Sequence, residues 1–270
     1  MSHESNFVMK LKMFQVDAFA SKLFSGNPAA VVILESFLDD RVMQSIAAEN
    51  NLSETAFVSI NTNPISIRWF TPSMEVNLCG HATLASGRIL FDYYPNLAEE
   101  EISFDSKSGV LKVKRCDDGL RLDFPVDPPI VMKTNSLFLE ILGIKPSKIL
   151  RGKDDYLAVF VNQKQIEDIQ PNFSLLKNID ARGLVISAPG DEVDFVSRCF
   201  YPEAGIEEDP VTGSAHTMLT SYWAEQLNKD EFQARQLSER GGELKCRLDG
   251  DRVLISGSSV IYFEGTITII

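Results

Sequence analysis

Several features of cofactor-dependent and membrane proteins are missing from this sequence. Its four cysteines form no C-x-x-C pair, and it contains neither a G-x-G-x-x-G nor a P-loop motif. No run of about 18 apolar residues is present, so no membrane span is predicted. Residues 1–10 are polar and lack the apolar core of a signal peptide. Because free thiols suit a reducing compartment, these absences predict a cytoplasmic protein without a metal or an organic cofactor.

An excess of basic residues is missing as well. The chain has 26 lysines and arginines against 38 aspartates and glutamates, which gives a formal net charge of −12 at pH 7. Such a surface repels phosphate backbones and anionic lipids, so neither nucleic acid nor a membrane is predicted as a partner. A small anionic substrate is still compatible with this charge where local dipoles or cations hold it.

The order of the predicted elements favours an α+β fold with two domains. The 270 residues suffice for two domains, and strands outnumber helices without alternating with them, which disfavours a Rossmann-like parallel sheet. The strongest helix is predicted over residues 215–227, where apolar side chains recur at helical spacing. A proline-rich segment, 123–129, is the best linker. We therefore divide the chain into an N-terminal half (1–128), a C-terminal half (129–256) and a last strand (257–270).

Two segments of the sequence resemble each other. Each reads R-x-F-x-P, then a polar loop, then glycine, a polar residue, alanine and an apolar-faced helix; they begin at Arg68 and Arg198. The shared order favours duplication over coincidence. In both segments a small-residue turn leads directly into a helix, and the free N–H groups and dipole of a helix start attract anions. If the halves face each other, a carboxylate could bind between Gly80 and Gly213 without arginine or metal.

Five side chains near these turns are candidates for chemistry, and each has an ordinary alternative. Glu54 is either a solvated residue at a strand edge or, in an apolar cleft, a general acid/base with a raised pKa. His81 and Ser214 begin helices, and Asp209 fits a helix cap. Cys79 is either a packing cysteine or a thiol with a lowered pKa at a helix start. With only three histidines in the chain, a metal site is not predicted.

At these positions the sequence resembles the PhzF family of phenazine-biosynthesis-like proteins along nearly its whole length. The matching stretches are residues 14–19, 26–32, 51–58, 75–83, 208–215 and 240–242. The resemblance implies the diaminopimelate-epimerase-like fold, in which two pseudo-repeated halves each wrap mostly antiparallel strands around a central helix. It also implies that the last strand returns to the N-terminal half and that the protein is a homodimer.

The resemblance further implies a cofactor-free isomerase that moves a proton on a small carboxylate-bearing substrate. The family's essential acid/base glutamate corresponds to Glu54, and its assisting residues correspond to His81, Asp209 and Ser214. The backbone amides of Gly80 and Gly213 would line the substrate site, and Cys79 and Thr212 beside them are expected to contact the substrate.

Related epimerases and racemases use two cysteines, one on each side of the substrate carbon. Cys79 stands at the first of these positions, but Thr212 stands at the second and cannot act as a thiolate. This departure favours Glu54 as the base. Two alternatives stay open, namely an amino-acid or hydroxy-acid epimerase that uses Cys79 and a binding protein that keeps the fold without catalysis. The sequence does not identify the substrate.

Overall fold

The computed structural model describes residues 8–133 and 136–269. Residues 1–7 lie outside the described residues. They include His3 and most of the segment that was compared with signal peptides. Ile270, at the end of the last predicted strand, also lies outside them. Within the described ranges, no helix combines the length and the apolar character needed to cross a membrane.

The described chain contains six α-helices, a single 3₁₀ turn at Pro202–Ala204 and eighteen strands. The helices are α1 (Asp40–Asn50), α2 (Gly80–Tyr93), α3 (Ser136–Leu142), α4 (Gln163–Asp168), α5 (Phe173–Leu176) and α6 (Ala215–Leu227). The strands that precede α3 are β1 (Met9–Ala18), β2 (Asn27–Leu34), β3 (Glu54–Ser59), β4 (Ile65–Phe70), β5 (Glu75–Val76), β6 (Glu101–Ser106), β7 (Gly109–Cys116), β8 (Gly119–Pro125) and β9 (Ile130–Met132). The strands that follow it are β10 (Lys148–Arg151), β11 (Asp155–Val159), β12 (Gly183–Pro189), β13 (Phe195–Tyr201), β14 (Ile206–Asp209), β15 (Glu231–Gln236), β16 (Gly242–Asp249), β17 (Arg252–Gly257) and β18 (Ser259–Ile269).

All eighteen strands belong to one sheet that runs through both halves of the molecule. The second half contributes the order β9, β10, β11, β12, β13, β15, β16 and β17, and the short β14 pairs with β13. The sheet then crosses into the first half where β17 pairs with β8 in antiparallel register. From there it continues through β7, β6, β4, β3, β2, β1 and β18, with β5 paired to β4.

The two halves repeat the same pattern of strand pairing. In the first half β2–β3 and β4–β6 are parallel, and in the second half β11–β12 and β13–β15 are parallel. The other principal pairings in each half are antiparallel. The last strand, β18, pairs with β1 from Met9↔Ile269 to Ala18↔Ser259. An α+β architecture follows, as the order of elements in the sequence predicts.

Each half folds around one buried helix. In α2 every residue from Gly80 to Gly87 is buried, and α6 is buried from Ala215 to Thr220. The fit around α2 is tight, because a Cβ atom added to Gly87 would lie 2.7 Å from a Val113 methyl carbon. One apolar core extends around both helices, and two smaller cores lie under the outer helices of each half.

The proline-rich segment is only partly a linker. β8 continues to Pro125, which pairs with Arg252, so residues 123–125 belong to the strand that joins the halves. Proline is accepted there because it ends the strand, where no further ladder donor is needed. The connection to β9 is therefore limited to residues 126–129.

The repeated R-x-F-x-P sequence makes the same contacts in both halves. Arg68 donates two hydrogen bonds of 2.8 Å to Glu75, and Arg198 donates bonds of 2.7 and 2.9 Å to Glu208. Each guanidinium also lies over the ring of the phenylalanine two positions later, at 5.2 and 5.1 Å. These arginine–glutamate ion pairs hold the short strands β5 and β14 in place, and the two strands lead to the starts of α2 and α6.

Candidate active site

A cleft of about 460 Å³ lies where the starts of α2 and α6 meet. The side chains that line it come from both halves of the chain. They include all eight residues selected from the sequence, namely Glu54, Cys79, Gly80, His81, Asp209, Thr212, Gly213 and Ser214.

The two helix starts approach each other through their glycines. A Cβ atom built on Gly80 would lie 3.7 Å from the Cα of Gly213, and one built on Gly213 would lie 3.8 Å from the Cα of Gly80. Neither start is capped by a side chain, since Cys79 and Ser214 make no capping hydrogen bond. Two helix dipoles therefore place partial positive charge at the same point of the cleft, which suits a carboxylate.

Glu54 begins β3 and turns its carboxyl group into the cleft, with 13% of the side chain exposed. Its Oε2 lies 3.3 Å from His81 Nε2, but the angles are not those of a hydrogen bond. That buried oxygen has no hydrogen-bond partner among the described residues. Burial, together with the charge of Asp209, raises the pKa of Glu54 from 4.5 to about 8 against the opposing effect of Cys79.

His81 and Cys79 are both uncharged at neutral pH. Burial lowers the pKa of His81 to about 3, so its imidazole is neutral. Burial, reinforced by the charge of Glu54, raises the pKa of the Cys79 thiol well above its usual 9.0. The thiol Sγ lies 3.5 Å from His81 Nδ1. Burial thus opposes the helix dipole at Cys79 and favours a protonated packing cysteine over a thiol activated at a helix start.

Asp209 is held by hydrogen bonds that favour its charged form. Its carboxylate accepts bonds from Asn27 Nδ2 at 2.9 Å and from Thr212 Oγ1 at 2.5 Å. Gln236 fixes the same loop by accepting a bond from the Thr212 N–H and donating one to the Asp209 carbonyl. Burial nevertheless raises the pKa of Asp209 to about 6. Near pH 7 the cleft therefore combines an ionised Asp209 with a protonated Glu54.

An arginine that the sequence reasoning missed also reaches the cleft. Arg182 donates a 3.3 Å hydrogen bond to Ser214 Oγ and is paired with the buried Asp155, with an Nε–Oδ1 distance of 2.9 Å. Its guanidinium lies 5.0 Å over the ring of Tyr201. Whether a carboxylate binds at the helix starts without help from this arginine stays a prediction. No sequence motif marked Arg182, because it meets Ser214 only through the fold.

Three potential metal ligands also meet in the cleft. Donor atoms of Glu54, Cys79 and His81 all lie within 4.8 Å of one another. This grouping could not be found by counting histidines or cysteine pairs, because its members belong to separate parts of the sequence. That the protein needs no metal stays a prediction.

Comparison with known proteins identifies the family. The family model described as "Phenazine biosynthesis-like protein", PhzC-PhzF, matches residues 16–265. This chain belongs to the PhzC-PhzF family. A relative named as an uncharacterized isomerase of Pseudomonas aeruginosa is 47% identical over 259 residues, which cover 96% of this chain and 99% of the relative. The resemblance stated from the sequence is thus confirmed.

Solved structures of the PhzC-PhzF family have the same fold. A PhzF-family protein of Enterococcus faecalis matches with a TM-score of 0.92 and 44% identity, covering 96% of this chain and 99% of the other. A hydroxyproline epimerase of Agrobacterium vitis matches at 10% identity and a TM-score of 0.64, covering 96% and 93%, so it is similar in fold alone. The predicted diaminopimelate-epimerase-like fold class is confirmed.

The two halves of this PhzC-PhzF member repeat the same strand pairing but are chemically unequal. Glu54 and Gly183 occupy equivalent positions, because Thr55 pairs with Phe70 as Leu184 pairs with Phe200. A side chain at Gly183 would collide with Tyr201, whose ring carbon lies 2.2 Å from the added Cβ. At the start of β3 the first half therefore contributes the Glu54 carboxyl group to the cleft. At the equivalent start of β12 the second half contributes the Tyr201 ring.

Proposed function

We propose that this chain is a cofactor-independent isomerase that moves a proton between two atoms of a small carboxylate-bearing substrate. One observation carries the proposal. Glu54 presents a buried oxygen without a hydrogen-bond partner among the described residues, and its pKa of about 8 lies close to neutral pH. A general acid/base works best when its pKa is near the working pH. The isomerase name of the Pseudomonas aeruginosa relative supports the same class of reaction.

Substrate binding follows from the charges of the cleft. The substrate's carboxylate binds at the paired starts of α2 and α6, where the Gly80 and Gly213 amides and the Ser214 hydroxyl supply hydrogen-bond donors. Arg182 adds positive charge on the Ser214 side. This binding presents the carbon acid to Glu54.

The reaction needs only proton movements. Ionised Glu54 removes a proton from a carbon atom, and the electron pair of the broken C–H bond delocalises into the conjugated system of the substrate. Dipoles that are already oriented stabilise this developing charge without rearranging. Glu54 then returns the proton to a second atom of the substrate, so no net oxidation or reduction occurs. The ionised Asp209 keeps Glu54 basic by repelling its negative form.

The epimerase alternative is less well supported by the site. It requires a thiolate, yet the pKa of Cys79 is raised well above 9.0 and the matching position in the second half is Thr212. A thiol that stays protonated cannot take a proton from carbon at neutral pH.

Solvent deuterium exchange tests the proposal. The protein is incubated in D₂O with a panel of unsaturated, amino and hydroxy carboxylic acids, and deuterium incorporation is measured by mass spectrometry. On a substrate that exchanges, Glu54→Gln should lower the rate by about 10²-fold or more, the range of general acid/base contributions. Cys79→Ser should keep most of the activity. If Cys79→Ser were inactive and Glu54→Gln active, the epimerase would replace the proposed isomerase, and absence of exchange with every compound would favour a binding protein.

Three further features belong to this proposal. Activity should survive exhaustive dialysis against a chelator, since Glu54 and the helix starts are proposed to suffice. The assembly is proposed to be a homodimer, which light scattering would measure. The compartment is proposed to be the cytoplasm, because four free thiols suit a reducing environment.

A further inference from the structure

Glu54, Cys79 and His81 bring three different donor atoms to the floor of the cleft. Glu54 Oε2 lies 3.3 Å from His81 Nε2, and Cys79 Sγ lies 4.0 Å from the same nitrogen. A tetrahedral zinc ion holds sulfur at about 2.3 Å and nitrogen or oxygen at about 2.0–2.2 Å, so neighbouring ligand atoms lie about 3.3–3.7 Å apart. All three donor atoms lie within 4.8 Å of one another, so the thiol has to move closer to the other two for the set to hold zinc.

We propose that Glu54, Cys79 and His81 bind a Zn²⁺ ion, and that zinc bound there inhibits the enzyme. Zinc binding stands on the geometry alone, whereas inhibition rests on the proposed function of Glu54. With its carboxylate coordinated to the metal, Glu54 can no longer take a proton from the substrate. The site thus acts as a competitive off-switch in the presence of free zinc.

The donor set selects among metals. Zinc is bound in proteins by cysteine sulfur, histidine nitrogen and carboxylate oxygen together, whereas magnesium and calcium prefer oxygen ligands only. Glu54 Oε2 is buried without a hydrogen-bond partner among the described residues, so it can bind a cation without breaking an existing bond. The three protein ligands leave a fourth tetrahedral position for water.

Direct zinc binding tests the site without any substrate. Chain lacking a histidine tag is titrated with Zn²⁺ in competition with a chromogenic zinc indicator. We expect one zinc per chain. Cys79→Ala and Glu54→Gln should each weaken binding by about 10- to 100-fold, a loss seen even when residues that only orient a ligand are changed. Cys116→Ala is the matched control, because Cys116 is half-buried and does not line the cleft.

A cobalt titration reports the sulfur ligand independently of stability. Co²⁺ bound by the wild-type chain should show a thiolate-to-cobalt charge-transfer band that Cys79→Ala removes and Cys116→Ala keeps. Circular dichroism identifies any variant that has not folded. If Cys79→Ala does not fold, the zinc affinity of the isosteric Glu54→Gln decides whether the site exists. Zinc binding that is unchanged in Cys79→Ala and Glu54→Gln, or that is lost in Cys116→Ala, would overturn the proposed site.

Activity measurements separate this site from the proposed function. Zinc should abolish deuterium exchange by the wild-type protein, and a chelator should restore it. If zinc bound at Glu54, Cys79 and His81 but increased exchange, the inhibitory role and the cofactor-free isomerase would both be wrong, while the metal site itself would stand. If zinc did not bind, the inhibitory site would fail and the isomerase would be unaffected.

Discussion

Replacing Glu54 with glutamine should make the protein less sensitive to alkaline pH. In the folded state the pKa of Glu54 is raised from 4.5 to about 8 by burial. Between these values the folded protein holds a proton that the unfolded chain has already released. Stability is therefore greatest below pH 4.5 and falls as the pH rises through about 8. Glutamine has the same shape, carries no charge at any pH and escapes this loss.

The size of the effect follows from the shift. One pKa unit corresponds to about 1.4 kcal/mol, so the ionisation of Glu54 should cost the wild type about 3 kcal/mol more at pH 8.5 than at pH 5.5. Asp209, whose pKa is raised to about 6, repels ionised Glu54 in the wild type only, and this repulsion is part of the expected difference. The free energy of unfolding of Glu54→Gln relative to wild type should rise by that amount over this range.

Urea unfolding of both proteins at pH 5.5 and 8.5 measures the difference directly and needs no substrate. Glu140→Gln is the matched control, since Glu140 is an exposed glutamate on α3 and its replacement should not change the pH dependence. If the stability difference between Glu54→Gln and wild type were the same at both pH values, Glu54 would be ionised with an ordinary pKa. Its role as a base tuned to neutral pH would then be refuted.

Other predictions concern rate, electrostatics and packing. Because ionised Glu54 is the proposed base, kcat/KM for deuterium exchange should rise about 50-fold from pH 6 to pH 8, and a flat profile would contradict this. Asn27→Ala removes a hydrogen bond to ionised Asp209, so the pKa of Asp209 should rise above about 6. Carbon-13 NMR of labelled aspartate would measure this pKa, and an unchanged value would show that Asn27 does not lower it. Gly87→Ala places a methyl group against Val113 and should destabilise the protein by about 1–3 kcal/mol in urea unfolding, unless the strand moves aside.

Elements with clear apolar periodicity could be predicted from the sequence, and others could not. The helix predicted over residues 215–227 has those bounds in the structure. Helix α4 was missed because it buries one side chain, Ile166, and so shows no apolar repeat. Strand β15 was missed because one of its three inward positions is the polar Gln236, which is buried for its hydrogen bonds to the Asp209 loop.

Some residues of the candidate site could be selected from the sequence, and others were found only in the structure. Glu54 and Asp209 could be selected because they lie in short stretches that resemble a family. Arg182 lies outside those stretches and Asn27 lies inside one of them, 26–32, but the role of each depends on a contact formed only by folding. Asn27 reaches Asp209 across 182 residues of sequence, and Arg182 reaches Ser214 across 32. The protonation of Cys79 was also beyond the sequence, since burial depends on the whole tertiary structure.

The inequality of the two halves has a stereochemical consequence. Glu54 lies on one wall of the cleft, and the equivalent position on the other wall is Gly183, where Tyr201 leaves no room for a side chain. A planar substrate held between the walls meets this carboxyl group on a single face. Enzymes with a base on each wall invert a carbon centre, because a proton leaves one face and another arrives on the opposite face. With Glu54 as the one proposed base, the proton leaves and returns on the same face, so we expect the migration to be suprafacial. Deuterium should then arrive on that face when the Glu54 carboxyl exchanges its proton with D₂O before returning it.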